Sequence, residues 1–266
     1  MRTPSVHAAA AATGIALFAT GCDASRLAEP APDPEPSVSS TEQAAPLACP
    51  DNPAPFDPTR PYEPDVEPED LRPRVDHPYN PLPIGARWVY QAETDEGLER
   101  GVVRVLEGTK DLWGTRARIV RDTVRLDGEL IEDTLDWFAE DDEGNVWYVG
   151  ERTTAYEDGE PAGHEGSWKS GVHGALPGVV MLEEPIVGCR YRQEYLAGEA
   201  EDWARVVALD QTVTVPAGTF TGCIKTRERS AIDTTADEFK YYCAGVGMTL
   251  VEEGDLREEL VEYSGL

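Results

Sequence analysis

The chain has 266 residues, of which 51 are acidic and 23 are basic, so its formal net charge at pH 7 is −28. A charge this negative repels nucleic acid and anionic lipid, which argues against both as partners. The acids are spread along the chain and alternate with apolar residues, as between residues 130 and 137. This alternation predicts strands whose acidic faces are solvated.

The first 21 residues have the pattern of a signal peptide. One cation, Arg2, precedes an apolar stretch at residues 6–18, and small residues then lead to Cys22. The stretch is shorter than the roughly 20 residues that cross a bilayer. We therefore expect residues 1–21 to be a lipoprotein signal peptide, removed to leave a lipidated Cys22. The alternative is an ordinary secretory signal, which leaves Cys22 for a disulfide.

A lipidated Cys22 predicts a location in the bacterial cell envelope, on the periplasmic face or the outer surface. The membrane is then a partner through the N-terminal lipid. Residues 22–80 follow as a tether, with 14 prolines between residues 23 and 80 and few aliphatic residues. Such a segment buries too little apolar surface to fold, so we expect a disordered tail. As an alternative, the second half of this segment, from Cys49 to Tyr79, lies along the domain surface.

The remaining cysteines fit an exported protein. Without Cys22 the chain has four, and an even number in an oxidising compartment predicts two disulfides with three alternative pairings. We favour Cys223–Cys243, because both lie in strand-like runs joined by a polar loop. Cys49–Cys189 would then fasten the end of the tether to the domain. No cysteine or histidine spacing is typical of a metal site, and no metal or other cofactor is expected.

Residues 81–266 have the pattern of one antiparallel β domain. Short polar turns such as Asp127-Gly128 separate the segments of period-two alternation. No stretch of helical period exceeds about ten residues, which argues against a parallel sheet with helical crossovers. We predict a mainly β fold, a single antiparallel meander that forms a curved sheet or an open barrel. The alternating segments lie at residues 84–90, 102–106, 117–124, 146–149, 206–209 and 239–242.

Aromatic residues and one glycine-rich loop provide the candidate binding residues. Trp137, Trp147 and Trp168, with His164 and Glu165, could line a pocket for a ligand, whereas the alternative role of the tryptophans is to fill the core. The loop at residues 163–178 holds His164, Glu165, Ser167 and His173. Neighbours in sequence rarely converge as a catalytic triad, and the chain has no nucleophile-elbow motif. We therefore predict no catalytic residue.

Several short motifs, spread over residues 84–263, together resemble a family of secreted and lipid-anchored bacterial β proteins with no assigned activity. The resemblance implies no catalytic residues. The motifs are Asp-Trp-Phe at 136–138, Gly-Asn-Val-Trp-Tyr at 144–148, Gly-Ser-Trp at 166–168, Gly-Val at 171–172, Gly-Ala at 174–175, Pro-Gly at 177–178, Tyr191 with Gln-Glu-Tyr at 193–195, Val-Pro-Ala-Gly at 215–218, Lys-Tyr-Tyr at 240–242 and Gly-Val-Gly at 245–247.

These observations favour a lipid-anchored envelope protein without enzymatic activity. Its tryptophan-rich β domain would bind a ligand or an envelope partner, such as a protein, a lipid or a glycan. One alternative is a structural or surface-coat lipoprotein that has no small ligand. A second alternative is a hydrolase that uses the loop from His164 to His173.

Overall fold

The computed structural model describes residues 49, 56, 57 and 60–266. The predicted signal peptide and Cys22 lie outside these residues. The described chain is almost entirely antiparallel β structure, and its one helical turn is the 3-10 turn Pro68–Asp70. The strands are β1 (Arg87–Thr94), β2 (Gly97–Leu112), β3 (Thr115–Leu126), β4 (Glu129–Glu140), β5 (Val146–Glu157), β6 (Glu160–Gly163), β7 (Trp168–Lys169), β8 (Leu176–Met181), β9 (Arg190–Arg192), β10 (Glu194–Tyr195), β11 (Asp202–Val215), β12 (Gly218–Ser230), β13 (Glu238–Cys243), β14 (Gly247–Glu253) and β15 (Leu256–Ser264).

The strands form one sheet that curves into a nearly closed barrel with a single seam. Strands that follow one another in sequence are mostly neighbours in space. From β1 the sheet runs through β2, β3, β4 and β5 to β8 and β10 on one side, and through β15, β14, β13, β12 and β11 to β9 on the other. The predicted antiparallel meander, in a curved sheet or open barrel, is confirmed.

One short run of chain spans the seam. Within β9, Tyr191 pairs with Ala204 of β11, and within β10, which begins two residues after β9 ends, Glu194 pairs with Pro177 of β8. Gly178 allows this close approach, because a Cβ there would lie 2.2 Å from the backbone carbonyl carbon of Gln193. The two ends of the sheet are therefore joined through residues 190–195.

The segment before β1 covers this seam. The Phe56 amide donates to the carbonyl of Arg190 at 2.9 Å, on the β9 side. The Tyr62 hydroxyl donates to the carbonyl of Pro177 at 2.8 Å, on the β8 side. Farther along, Leu71 is buried against the barrel. The folded part of the chain therefore begins before residue 81, whereas the sequence predicted a tether as far as residue 80. The alternative for this stretch, that it lies along the domain surface, agrees with these contacts.

Both predicted disulfides are confirmed. Cys49 and Cys189 are bonded, with 5.4 Å between their Cα atoms, and this bond fixes the N-terminal segment beside β9. Cys223 and Cys243 are bonded, with 4.2 Å between their Cα atoms, and they link β12 to β13. The second bond follows from strand pairing, since Ile224 and Tyr242 next to the two cysteines lie opposite each other.

Buried apolar residues form two clusters on opposite faces of the sheet. On β4, Phe138 belongs to one cluster and its neighbour Trp137 to the other, as expected for alternating side chains. We call the cluster of Phe138 and Tyr148 the main core, and the side of the sheet toward it the main-core face. The cluster of Trp137 and Trp147 is the second core, which Leu71 of the N-terminal segment helps to cover. Strands β4 and β5 are therefore buried on both faces.

Candidate functional site

The three tryptophans predicted to bind a ligand fill the two cores. Trp137, Trp147 and Trp168 are each at most 3% exposed. Trp137 and Trp147 lie in the second core, whereas Trp168 lies in the main core. The three rings are thus divided between the two faces of the sheet and do not line a common pocket.

The loop that holds His164 and Glu165 is fastened to the edge of β5. The Ser167 hydroxyl accepts a hydrogen bond from the Thr153 amide at 2.9 Å, and His164 Nδ1 lies 2.8 Å from the Thr153 carbonyl. His164, Glu165 and His173 are exposed to solvent. These contacts hold the loop in place and do not form the hydrogen-bonded set that a triad requires.

The acidic turn between β4 and β5 is organised by Asp141. Its Oδ1 accepts hydrogen bonds from the backbone amides of Glu143, Gly144 and Asn145, at 2.8 to 3.0 Å. Its Oδ2 accepts the Trp147 indole N–H at 2.7 Å. The described residues contain no group of three His, Cys, Asp or Glu side chains that could hold a metal ion. Asp141 is therefore used to shape the turn and to anchor Trp147.

Six of the acidic side chains buried on the main-core face share one feature. On adjacent strands, Asp136 lies opposite Glu151, and Asp122 lies opposite the main-core residue Val103. Each of the six has one carboxylate oxygen without a hydrogen-bond partner in the described part of the chain. The expectation that the acids lie on solvated faces is wrong for these residues, because their strand positions face the main core. They are Glu99, Asp122, Asp136, Glu151, Glu194 and Glu258.

Three of these acids surround one tyrosine and one tryptophan. The Tyr148 hydroxyl donates to Asp136 Oδ1 at 2.7 Å, and the Trp168 indole N–H donates to Glu194 Oε2 at 2.9 Å. Glu151 lies opposite Trp168 in the pairing of β5 with β7. The two rings pack edge to face, with their centroids 5.3 Å apart. We call Asp136, Tyr148, Glu151, Trp168 and Glu194 the Tyr148 cluster.

Burial raises the pKa of the carboxyls on this face. It raises the pKa of Asp122 to about 7, and the charge of Glu132 adds to the rise. For Asp136, Glu151 and Glu194 burial holds the pKa well above its ordinary value, and neighbouring carboxylates add to the effect, such as Glu194 acting on Glu151. These carboxyls keep their protons at a pH where exposed acids have lost theirs.

The same face holds one buried lysine. Lys240 Nζ lies 3.0 Å from Glu228 Oε2 and 2.9 Å from Glu238 Oε1, and the side chain is 2% exposed. The Gln193 amide also donates to Glu228 Oε2 at 2.8 Å, and the Tyr242 hydroxyl donates to Glu228 Oε1 at 3.1 Å. The acids beside Lys240 are therefore neutralised and hydrogen-bonded, in contrast to those of the Tyr148 cluster.

Sequence reasoning missed the Tyr148 cluster, although one signal was present. Phe138 follows Trp137 directly, and Tyr148 follows Trp147. Because neighbouring residues of a strand point to opposite faces, both faces of β4 and β5 carry large rings. A strand with large rings on both faces is buried on both faces. An acid within such a strand, as Asp136 is, then has no solvated face to occupy.

Comparison with protein-family models, with curated proteins and with solved structures finds no match to this chain. The resemblance to a family of secreted β proteins therefore stays a prediction. In the part of the chain that the structure describes, no helix has the length and hydropathy needed to cross a bilayer.

Proposed function

We propose that this chain is a lipid-anchored, non-enzymatic protein of the bacterial cell envelope, and that its barrel binds a small ligand on the main-core face. The observation that carries the proposal is the set of six buried carboxylates, each with an oxygen that has no partner among the described residues. A buried acceptor without a donor costs about 1–3 kcal/mol, and more when it is charged. A ligand that supplies donors would remove this cost.

The anchoring part of the proposal rests on the small residues before Cys22 and on the two disulfides. Disulfides such as Cys49–Cys189 form and persist in oxidising compartments outside the cytosol. Mass spectrometry of the mature protein tests the anchor. An acylated Cys22 at the N-terminus is the expected result, and a free amine on an unmodified Cys22 contradicts it.

The binding part is tested by thermal unfolding of the mature chain with panels of small molecules. The panels are organic cations, amino acids, oligosaccharides and fatty acids. We expect a saturable rise in Tm with at least one class, because a ligand that binds only the folded protein stabilises it by mass action. No rise with any panel at millimolar concentration rejects ligand binding.

The structural lipoprotein is the second candidate. It is favoured by the burial of Trp137, Trp147 and Trp168, which gives these rings a packing role. In that case the buried carboxyls are satisfied by retained protons and by water, and every panel leaves Tm unchanged. The thermal unfolding experiment therefore separates the two candidates.

A further inference from the structure

The barrel already contains one internal cation site, built from its own side chains. Lys240 places an ammonium group within 3.0 Å of the carboxylates of Glu228 and Glu238 on the main-core face. Both oxygens of Glu228 have partners, since Oε1 accepts from Thr226 and Tyr242 and Oε2 contacts Gln193 and Lys240. This arrangement shows how the fold stabilises acids on this face, with N–H donors that carry a positive charge.

The Tyr148 cluster has the same kind of acceptors without a cation in hydrogen-bond contact, although the charges of Lys240 and Arg192 act on Glu194. Each acid receives one neutral donor: the Tyr148 hydroxyl for Asp136, the Thr153 hydroxyl for Glu151, and the Trp168 indole for Glu194. The second oxygen of each acid, Asp136 Oδ2, Glu151 Oε1 and Glu194 Oε1, has no partner in the described chain. All three acids are at most 2% exposed. Three buried acceptor oxygens therefore lack donors.

The chemistry of the cluster selects the class of ligand. No group of three acids among the described residues is placed to ligate a bare metal ion. The Tyr148 hydroxyl and the Trp168 indole N–H contact these carboxylates. Aromatic faces attract organic cations, and one face of Tyr148 is stacked on Phe138. Charge-assisted hydrogen bonds from N–H donors are also the strongest that a carboxylate accepts. An organic ammonium or guanidinium group meets these requirements, because it is a cation other than a bare metal ion, it is attracted to aromatic faces and it carries charged N–H donors.

We infer that the Tyr148 cluster is a binding site for an organic cation with several N–H donors, such as a diamine or a guanidinium compound. The inference rests on the proposed function and names the ligand class for the same face. The cation would donate to Asp136, Glu151 and Glu194 as Lys240 does to Glu228 and Glu238. The negative charge of the whole protein, −28, raises the local concentration of such cations.

Calorimetric titration of the mature chain at pH 8 tests the inference, with putrescine as the probe. We expect saturable binding of one putrescine per chain. Two matched probes act as controls: 1,4-butanediol has the same chain without charge, and tetramethylammonium has the charge without N–H donors. Neither is expected to bind. Equal heats from putrescine and tetramethylammonium indicate surface attraction alone and overturn the inference.

Variants separate the site from a general electrostatic effect. Glu151→Gln keeps the shape of the side chain and removes its charge, so we expect putrescine affinity to fall about tenfold or more. The control is Glu262→Gln, whose side chain is 59% exposed, and it should bind as the parent protein does. If Glu151→Gln does not fold, Glu194→Gln is used with the same expectation. Unchanged affinity in the folded variant overturns the inference.

A binding role for Glu151 predicts that Glu151→Gln raises Tm at pH 8 while it weakens putrescine binding, because removing a buried charge stabilises the free protein. A structural role predicts the opposite change in Tm, a fall, because a buried hydrogen-bonded group is lost. The panel experiment also distinguishes failure of the cation site from failure of the proposed function. A rise in Tm with oligosaccharides or fatty acids but not with putrescine rejects the cation site and leaves the proposed function standing. No rise with any compound rejects both.

Discussion

The substitution Asp122→Asn tests most directly how a buried acid affects the free energy of unfolding. Asp122 is 5% exposed, and one of its oxygens has no partner in the described chain. Burial raises its pKa from 3.8 to about 7. Asparagine has nearly the same shape and stays neutral at every pH. The variant therefore imitates the protonated form of Asp122.

The size of the effect follows from the two pKa values. Because the pKa is higher in the folded protein, the folded state keeps the proton while the unfolded chain loses it as pH rises from 3.8 to 7. The free energy of unfolding of the parent protein therefore falls through this range. A difference between 3.8 and about 7 corresponds to about 4 kcal/mol, which is an upper limit. Below pH 3.8 the group has no effect, and above 7 its full cost is present.

Urea unfolding of the parent protein and Asp122→Asn between pH 4 and pH 9 measures this difference. We expect the two proteins to be similarly stable at pH 4. As the pH rises to 7 the free energy of unfolding of the variant should come to exceed that of the parent, and above pH 7 the difference should be up to about 4 kcal/mol. Asp142→Asn, whose side chain is 71% exposed, is the matched control and should follow the parent. A variant that is less stable than the parent at pH 8 refutes the reasoning.

Two further variants test the ion pairs and the seam. Lys240→Met leaves the buried Glu228 and the partly exposed Glu238 without a cation, so we expect a loss of about 3–5 kcal/mol in urea unfolding. Lys225→Met, at a partly exposed pair, should lose under about 1 kcal/mol, and equal losses contradict the assignment. Gly178→Ala places a Cβ against Gln193, so we expect a loss of about 1–3 kcal/mol and faster hydrogen exchange of the Glu194 amide. Unchanged exchange there argues against seam closure by residues 190–195.

The features that local sequence determines were predictable. Period-two alternation and short polar turns predicted the antiparallel meander, since each strand pairs mainly with its neighbour in sequence. The pair Cys223–Cys243 followed from a hairpin between adjacent strands. The pair Cys49–Cys189 followed by elimination from the even number of cysteines, although the residues are 140 positions apart.

The seam and the Tyr148 cluster depend on contacts that local patterns do not encode. Gly178 and Gln193 meet only because the sheet curves far enough to bring β8 beside the run that continues from β9. Asp136 has the spacing of a solvated residue if Trp137 is taken to mark the buried face of β4. Both faces of β4 are buried, because the N-terminal segment helps to cover a second core. This coverage is a tertiary contact, which the local sequence of β4 does not show.

The central claim is that the Tyr148 cluster is a cation site, and carboxyl ¹³C NMR tests it most directly. The chemical shifts of Asp136, Glu151 and Glu194 would be followed against pH in the mature chain, with and without saturating putrescine. We expect these carboxyls to stay protonated above the pH at which exposed acids ionise, and putrescine to lower their pKa, because a nearby cation favours the ionised form. Titration curves that putrescine does not move would contradict it.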